Sequence, residues 1–502
     1  MMSKGKVWLI GAGPSDPGLF TLKGKLVLEQ ADVVVYDQLV GDGILKMIPK
    51  SAEKIDVGKK AGNHKVPQEE INEILLREAL NGKKVVRLKG GDPFLFGRGG
   101  EELELLCENK IPFEIVPGIT SAISVPAYAG IPVTHRDYSP SLHIITAHRK
   151  RGSEETVDYK KLVALGDVTL VFLMGVGALN EISQGLIEAG MNKRTPAAIL
   201  EKGTSSAQRR VVADIETLPK EAEKYNIGTP GIIVVGKVCT LAEKFHWAED
   251  RELGGARIVV TRPKKRSSKL MEKLYNLGAE IIELPAIETV SVQSDTLNEM
   301  IQKINNFNWL VFTSAVSVEI LFDYLKSIRM DIRNLVNIKW AAVGPATKDA
   351  IESRGILVDY IPEEYNGEAL AKGLISILNK DDNILVFTPE GAAPPCVKAL
   401  RQEGFNCDSM AVYKTEYEEN EEIKLRVQDI VAFTSASTVK GFVRTMKNID
   451  FKTVTAVCIG EQTAEEARKH EMKVAVSEKA SIESLTEKIT EIYNIMKHRE
   501  KN

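Results

Sequence analysis

Apolar runs of strand length alternate with amphipathic segments throughout the first half of the chain. Helices are predicted most clearly at 69–81 and 101–109, where apolar residues recur every three or four positions. The runs between helices are rich in β-branched residues, and strands that alternate with helices predict parallel α/β units. The predicted strands of two such units are 6–11, 31–36, 55–59 and 85–89, then 142–147, 169–174, 197–200 and 231–236.

The second half repeats itself, which predicts two related α/β lobes. WLVFTSAVSVEILFDYL at 309–325 is similar to IVAFTSASTVKGFVRTM at 430–446, and WAAVGPATKDAIESRGI at 340–356 is similar to AVCIGEQTAEEARKHEM at 456–472. Each lobe therefore has an FTS loop after a strand and a Gly-x-x-Thr loop entering a helix. Paired lobes with polar loops indicate a binding site between them, although helix capping alone explains the same hydroxyls. The charged segment 241–255 is predicted to link the two halves.

Composition narrows the class of protein. The chain has 502 residues, a formal net charge of -3 and 43% hydrophobic residues, which is typical of a globular protein of several domains and predicts no binding of nucleic acid or anionic membrane. No run approaches the ~18 apolar residues of a membrane span. The cysteines are scattered without any CxxC, which favours reduced thiols in a cytosol and no metal site. They are Cys107, Cys239, Cys396, Cys407 and Cys458.

The stretch VVRLKGGDPFLFGRGGEE at 85–102 carries the densest candidate chemistry of the first half. Its five glycines follow a strand, and open α/β sheets bind ligands at the carboxyl ends of strands. The local pattern supports two interpretations equally: a loop that approaches a ligand, or a strand-to-helix turn in which Asp92 caps ahead of Pro93. The other glycine loop, GAGPSDPG at 11–18, has Asp16 where GxGxxG needs its third glycine, so no NAD site is expected.

Five motifs, in order along residues 5–240, resemble the tetrapyrrole methylase family and within it the uroporphyrinogen-III C-methyltransferases. The motifs are GAGPSDPGLFTLKG, ADVVVYDQLV, VGKKAGNHKVPQEEIN, RLKGGDPFLFGRGGEE and PGITSAISVPAYAGIPVTHR. Small departures from the family pattern are Ser15, where glycine is usual, and Thr146-Ala147-His148, where TGH is usual. The resemblance implies that residues 1–240 form a bilobed enzyme of two α/β subdomains, with S-adenosylmethionine bound between them as methyl donor.

The same resemblance assigns roles to residues by motif. Asp37 and Lys59 match the family's proposed proton acceptor and donor. The tetrapyrrole substrate carries an acetate and a propionate on each pyrrole ring, so the cleft must offer cations. Arg98 and Arg136, inside the motifs, are the preferred candidates, and further cations available are Arg87, Lys89, His148, Arg149 and Arg151. The residues expected to line the methyl-donor site are Pro14, Gly90, Gly91, Asp92, Leu95, Thr120, Ser121, Met174 and Gly203.

Residues 256–502 resemble uroporphyrinogen-III synthase, which implies two flavodoxin-like lobes. In that family the chain leaves one lobe, here 256–289 and 417–495, to build the other, here 290–414. Tyr413 in VYKT matches the tyrosine proposed to aid loss of the bilane hydroxyl, and TPEGAAPP at 388–395 has Glu390 where the family often has an arginine. The residues expected to contact substrate carboxylates are Thr313, Ser314, Thr434, Ser435 and Thr463.

Together the resemblances predict a cytoplasmic bifunctional enzyme. Hydroxymethylbilane is cyclised to uroporphyrinogen III, which is methylated twice to precorrin-2. The expected partners are these small tetrapyrroles, without nucleic acid, membrane, NAD or metal, and a homodimer through the first domain is compatible with the prediction. One alternative is a methylase of a later corrin intermediate, against which the motifs at 87–102 and 118–136 argue. The other makes the second half a non-catalytic two-lobed binding or sensor module.

Overall fold

The computed structural model describes residues 4–58, 66–147, 157–262, 268–292, 295–391, 394–417 and 423–501. Lys59, one of the two residues expected to move a proton, lies outside these ranges, as do His148, Arg149 and Arg151. Within them the strands form four five-stranded sheets, two in each half of the chain. No helix in the same ranges has both the length and the apolar character that crossing a membrane requires.

The first half begins with an α/β unit of five strands. Its elements are β1 (Lys6–Gly11), α1 (Leu22–Leu28), β2 (Val33–Tyr36), α2 (Asp42–Leu45), β3 (Glu53–Asp56), α3 (Gln68–Leu80), β4 (Lys84–Lys89), α4 (Gly99–Glu108), β5 (Phe113–Val116) and α5 (Ser121–Tyr128). The sheet order is β3-β2-β4-β1-β5 and all neighbours are parallel. The loops that follow β1, β2, β4 and β5 therefore meet at one edge of the sheet.

A mixed sheet follows. Its elements are β6 (Ser141–Thr146), α6 (Tyr159–Ala164), β7 (Val168–Leu173), α7 (Leu179–Glu188), β8 (Pro196–Glu201), β9 (Arg209–Asp214), α8 (Leu218–Lys224) and β10 (Gly231–Val235). The order is β6-β7-β10-β8-β9, and only β6 and β7 are parallel. Sequence patterning missed β9, because RRVVAD has only three apolar residues between charged ends. The strand pairs with β8, where Arg209 Nε donates to Glu201 Oε2 at 2.6 Å. Helix α5 packs on this sheet through Ala122 and Val125, which joins the two subdomains.

The second half contains two further sheets. Its elements are β11 (Arg257–Val260), α9 (Ser268–Asn276), β12 (Glu280–Glu283), β13 (Ile287–Ser291), α10 (Asp295–Gln302), β14 (Trp309–Phe312), α11 (Ala315–Ser327), β15 (Lys339–Ala342), α12 (Pro345–Glu352), α13 (Gly367–Ile377), β16 (Asn383–Pro389), α14 (Pro395–Gln402), β17 (Asn406–Tyr417), β18 (Ile430–Phe433), α15 (Ala436–Thr445), β19 (Thr455–Cys458), α16 (Glu461–Arg468), β20 (Lys473–Val476) and α17 (Ile482–Lys501).

These strands divide between a parallel sheet, β12-β11-β18-β19-β20, and a second sheet, β13-β17-β16-β14-β15, in which only β13 and β17 are antiparallel. The chain enters the second sheet at β13 and returns after β17. The lobe boundary expected between 289 and 290 is wrong by a few residues, because it falls inside β13. Ile287 already pairs with Tyr417, so the whole of β13 belongs to the second sheet.

The segment between the halves is packed along both of them. Trp247 Nε1 donates to the carbonyl of Ala127 at the end of α5, at 2.9 Å, and Leu253 is fully buried. Arg257, the first residue of β11, donates to Asp42 Oδ2 of the first half at 3.4 Å. The amino-terminal edge of the β11 sheet therefore lies against the first half.

Candidate functional site

Loops from both sheets of the first half border one cavity of about 2190 Å³. Asp37 and Arg98 lie in its wall. So do all of the residues expected to hold the methyl donor, although they come from distant parts of the sequence. These are Pro14, Gly90, Gly91, Asp92, Leu95, Thr120, Ser121, Met174 and Gly203.

Glycine loops approach one another through their backbones beside this cavity. Gly13 and Gly91 form an antiparallel bridge, in which Gly13 N donates to Gly91 O at 3.1 Å and Gly91 N donates to Gly13 O at 2.7 Å. A Cβ atom at Gly11 would lie 2.5 Å from Gly118 Cα, and one at Gly118 would overlap the Gly91 carbonyl oxygen. The loops after β1, β4 and β5 can therefore meet only because these positions lack side chains.

Asp92 holds two of these loops together. Its Oδ1 accepts from Phe94 N at 2.8 Å, and its Oδ2 accepts from Gly118 N at 3.0 Å. The first bond forms the turn ahead of α4, and the second fixes that turn to the loop after β5. Asp92 also lines the cavity. Of the two interpretations that the sequence left open, the turn is present, and the ligand loop stays a prediction with which the position of Asp92 in the cavity wall is compatible.

Backbone strain is concentrated around the same cavity. Of the nine non-glycine residues with positive φ in the described chain, five line it. Such conformations persist where surrounding structure over-determines them, and they cluster at functional sites. Met174, for example, has φ of 58° and a 54% exposed side chain at the end of β7. The five residues are Phe96, Arg98, Met174, Lys202 and Thr204.

A buried cluster of charges stands behind Asp37. Arg87 and Lys89 on β4 are 3% and 4% exposed, and Glu102 on α4 is fully buried. Glu102 Oε1 accepts from Lys89 Nζ at 2.6 Å and from Arg87 Nε at 3.1 Å. Arg87 Nη2 lies 3.5 Å from Asp37 Oδ2, so this guanidinium connects the cluster to a carboxylate of the cavity wall. Leu39 N also donates to Asp37 Oδ1, at 3.0 Å.

The electrostatics of this cluster are those of crowded, desolvated charges. Burial, and then the positive charge of Arg87, lower the pKa of Lys89. Among the described residues, Glu102 Oε2 is buried without a hydrogen-bond partner. Arg87 and Lys89 also border the cavity, but both already pair with Glu102. Residues 87 and 89 share one face of β4. Two cations on one face of a buried strand indicate a buried anion nearby, and the sequence analysis did not use this signal.

The two arginines preferred as substrate ligands differ in position. Arg98 lines the cavity, is 55% exposed in its side chain, and pairs with Glu101 through Nε–Oε1 at 2.9 Å and Nη2–Oε2 at 2.5 Å. That pairing raises the pKa of Arg98, which stays a cation. Arg136 is exposed and does not contribute to the cavity wall among the described residues. The structure thus brings Arg98, but not Arg136, to the predicted site.

The second half contributes to the rim of the same cavity. Tyr275 Oη lies 3.2 Å from Asp16 Oδ1. Glu280 Oε2 accepts from Ser206 N at 2.8 Å and from Ser206 Oγ at 2.5 Å, and Arg426 Nη1 donates to Ser206 Oγ at 3.0 Å. All five residues line the cavity. Sequence reasoning missed this rim, because it depends on how the halves dock and no local pattern encodes that.

The serines of the FTS loops begin helices in both lobes. Ser314 Oγ accepts from Ser317 N at 3.2 Å at the start of α11. Ser435 Oγ accepts from Thr438 N at 3.3 Å, and Thr438 Oγ1 accepts from Ser435 N at 3.3 Å, which completes a capping box at α15. The capping role is therefore present in both lobes, and it leaves the free amides of each first turn at the strand ends.

The other residues expected to bind substrate in the second half differ in exposure. Thr313 Oγ1 donates to the carbonyl of Phe387 at 3.0 Å. Thr434 is half-buried beside the start of α15, and Thr463 is 4% exposed inside α16. None of the predicted second-half site residues borders the large cavity of the first half.

Tyr413 and Glu390 meet at the end of β16. Tyr413 is 9% exposed and belongs to the hydrophobic core of its lobe. Its carbonyl accepts from Glu390 N at 2.7 Å, while the Glu390 side chain is exposed. The charge of Glu390 contributes to a raised pKa of Lys414, after the larger effects of Glu416. The departure from the expected arginine thus places an anion at this strand end.

The described residues contain no group of three or more His, Cys, Asp or Glu suited to a metal ion.

Comparison with known proteins matches each half to a family model. Residues 6–219 match the tetrapyrrole (corrin/porphyrin) methylases, and residues 268–487 match uroporphyrinogen-III synthase HemD. The class of protein that these matches define is therefore a tetrapyrrole methylase joined to a uroporphyrinogen-III synthase, as the sequence motifs predicted.

A relative from Ruminiclostridium josui, "Porphyrin biosynthesis protein HemD", is 47% identical over 498 residues, which cover 98% of this chain and 99% of the relative. The chain belongs to this family of fused porphyrin-biosynthesis proteins. Both of its halves therefore belong to tetrapyrrole biosynthesis, and the α/β fold predicted for each half is confirmed.

Two further similarities are confined to the first half. "Siroheme synthase 2" of Cronobacter sakazakii is 53% identical over 244 residues, 49% of this chain and 52% of the relative. The crystal structure of uroporphyrin-III C-methyl transferase from Thermus thermophilus, complexed with S-adenosyl homocysteine, is 39% identical, covers 47% of this chain and 100% of its own, and has a TM-score of 0.41.

Proposed function

We propose that the chain converts hydroxymethylbilane to uroporphyrinogen III and methylates that product twice with S-adenosylmethionine to give precorrin-2. The observation that carries the methyltransferase part is the convergence on one cavity of all nine residues expected to hold the donor, with Asp37 in the same wall. The membership of both halves in tetrapyrrole-biosynthesis families supports the pairing of activities.

The residues around the cavity fit a bulky donor and a macrocycle. Small-molecule sites commonly have about 300–1,000 Å³, and this cavity has about 2190 Å³, enough for both ligands. Gly90 and Gly91 present backbone instead of side chains to it, which permits close approach of a planar ligand. When bound, S-adenosylmethionine supplies an electrophilic methyl group on a positively charged sulfur.

The side chains of the chain then have two tasks, orientation and charge stabilisation. Loops fixed by Asp92 and by the glycine contacts would hold the methyl donor and the reacting carbon in one relative orientation, which lowers the entropic part of the barrier. Alkylation leaves positive charge on the pyrrole ring, and Asp37 in the wall stabilises that charge or accepts the proton. Arg87, whose Nη2 lies 3.5 Å from Asp37 Oδ2, holds this carboxylate in place. Lys59 stays the proposed proton donor.

Recognition of the macrocycle depends on its carboxylates. We assign Arg98 to one of them, because it is the exposed, permanently charged residue of the motif that lines the cavity. Its bidentate partner Glu101 lies on the surface of α4, the helix that begins just after Arg98, so a substrate carboxylate would compete for the guanidinium in solvent. Arg136 would bind substrate only at the outer rim, since its side chain lies outside the cavity wall.

For the second half we propose ring closure between the lobes. Loss of the bilane hydroxyl as water and formation of the closing carbon–carbon bond require the ends of the chain to be held together, and the inverted ring requires shape control. We propose that backbone amides and side-chain hydroxyls bind the substrate carboxylates. The amides are those at the starts of α11 and α15, and the hydroxyls are those of Thr313, Ser314, Thr434, Ser435 and Thr463. Tyr413 is the proposed residue beside the departing hydroxyl.

The proposed division is 1–240 for methylation, 241–255 for the connecting segment and 256–502 for the synthase, in a cytoplasmic protein. The test is product analysis of the full chain with hydroxymethylbilane, with and without S-adenosylmethionine. We expect uroporphyrinogen III without the donor and precorrin-2 with it. Formation of only uroporphyrinogen I would reject the synthase and favour the binding-module alternative. If supplied uroporphyrinogen III is methylated only once, or not at all, the methyltransferase activity as proposed is rejected.

A further inference from the structure

Asp16 lies where three parts of the molecule meet. Its Oδ1 accepts from Gly18 N at 2.8 Å and caps the short helix that follows the glycine loop after β1. Its backbone N donates to Thr204 Oγ1 in the loop after β8, at 3.3 Å. Its Oδ2 accepts from the hydroxyl of Tyr128, at the end of α5, at 2.7 Å. The fourth contact, from Tyr275, comes from the second half.

Tyr275 approaches this carboxylate from α9. Its Oη lies 3.2 Å from Asp16 Oδ1 and 3.4 Å from Oδ2. A Cβ atom at Gly18 would overlap the Tyr275 hydroxyl, so the ring reaches the loop only because residue 18 is glycine. Arg251 Nη2 donates to the carbonyls of Tyr275 and Asn276 at 2.6 and 2.9 Å, which fixes the end of α9 in this position.

Both tyrosines present protonated hydroxyls to Asp16. Burial first, and then the Asp16 carboxylate, raise the pKa of Tyr128 and of Tyr275. Each hydroxyl therefore remains a donor to the one carboxylate at physiological pH. A carboxylate held by two phenols and a backbone amide has little freedom, and it fixes the loop that contains Pro14.

We infer that Tyr275 of the second half is a positioning residue for the methyl transfer proposed for the first half. By donating to Asp16 it fixes the loop 13–19, which borders the cavity through Gly13 to Pro17, in the conformation that binds the methyl donor. The inference rests on the proposed function. It makes the second half part of the first half's donor site, in addition to its own reaction. Asp16, Tyr128, Thr204 and Tyr275 all line the cavity, which is consistent with this role.

The test is the Tyr275→Phe variant of the full chain, which keeps the ring and removes the hydroxyl. With saturating uroporphyrinogen III, we expect the KM for S-adenosylmethionine to rise about fivefold, which corresponds to the loss of one hydrogen bond. The kcat of the variant should stay within about twofold of that of the unmodified chain. Tyr324→Phe is the matched control, because it removes a hydroxyl that donates to Asn298 on the other lobe. Its donor KM should not change.

A second variant separates positioning from general destabilisation. Asp16→Asn removes the charge from the other side of the contact, and the effects of Asp16→Asn and Tyr275→Phe on donor KM should be less than additive in the double variant. Synthase activity of each variant reports whether the second half is folded. If Tyr275→Phe loses that activity, the donor KM of Asp16→Asn alone decides, and an unchanged value overturns the inference.

Other outcomes are equally decisive. An unchanged donor KM in Tyr275→Phe with intact synthase activity, or full additivity in the double variant, rejects the positioning role while the proposed function stands. If the unmodified chain itself does not methylate uroporphyrinogen III, the proposed function fails and the inference fails with it. The two failures are distinguishable because only the second affects the unmodified chain.

Discussion

In the first half, the candidate site is bordered by charges that burial and ion pairing hold in place, whereas in the second half it offers hydroxyls and amides at helix starts. Arg87, Lys89 and Glu102 form a desolvated cluster behind Asp37. Ser314 and Ser435 cap α11 and α15 near their strand ends. We therefore expect the first site to lose its geometry when one buried charge is removed, and the second to tolerate the loss of a hydroxyl.

The largest effect is expected from Glu102→Gln. It leaves Arg87 and Lys89 buried without their common counter-charge, which should lower the free energy of unfolding of the first half by about 3 kcal/mol. Hydrogen exchange of β4 peptides measures that loss within the full chain. The control is Glu104→Gln, an exposed residue on the same helix that should change stability by no more than about 0.5 kcal/mol. Equal losses in the two variants would contradict the importance of the cluster.

Asp37→Ala should lower the rate of methylation by about 100-fold, equivalent to about 2.7 kcal/mol, because it removes the carboxylate proposed to face developing charge. Binding of S-adenosylhomocysteine, followed by calorimetry, should be retained. Asp214→Ala is the control, since Asp214 is exposed at the end of β9 and outside the cavity wall. Unchanged turnover would remove the catalytic role of Asp37, and loss of binding would assign it to the donor site instead.

Sequence patterning predicted much of this fold and, for the first half, residues that share one cavity wall, for identifiable physical reasons. The β4 loop was recognisable because its backbone requires glycine at several positions, which leaves a visible motif. Gly91 has φ of 66°, and a Cβ atom at Gly97 would lie 2.6 Å from the Pro93 carbonyl oxygen. Arg136 lies in an equally clear motif but outside the cavity wall. The motif could not predict this, because a motif does not give the direction of a side chain. The contact of Tyr275 with Asp16 could not be predicted from the sequence, since it depends on how the two halves dock.

Gly118→Ala tests whether the first site depends on backbone contact as well as on charge. The added methyl group would overlap the Gly91 carbonyl, which should cost about 2 kcal/mol and displace the loop that contains Gly90 and Asp92. We expect methylation to be lost while synthase activity is retained in the same preparation. Gly100→Ala, whose Cβ would meet no atom within 4 Å, should leave methylation intact. Retained methylation in Gly118→Ala would show that the loops can separate without loss of function.

Substitution of Ser435 distinguishes capping from ligand binding in the second site. Ser435→Ala should destabilise by about 1 kcal/mol through loss of the cap, whereas Ser435→Gly should cost only a few tenths of that. If the hydroxyl also binds a substrate carboxylate, Ser435→Gly should raise the KM for hydroxymethylbilane about threefold. Thermal unfolding and synthase kinetics measure the two effects. An unchanged KM in Ser435→Gly would leave capping as the sole role of Ser435.

The smallest effect is expected in a test of product transfer between the two sites. The first half packs on the amino-terminal edge of the β11 sheet, through Arg257 and Glu280, while Thr434 follows the carboxyl end of β18 in the same parallel sheet. Four residues at about 3.3 Å each place these edges roughly 13 Å apart, on opposite sides of the lobe. Uroporphyrinogen III should therefore leave one site and reach the other through solvent. With labelled hydroxymethylbilane and a pool of unlabelled uroporphyrinogen III, the label in precorrin-2 should be diluted fully, and retention above that level would demonstrate a direct route that the geometry does not provide.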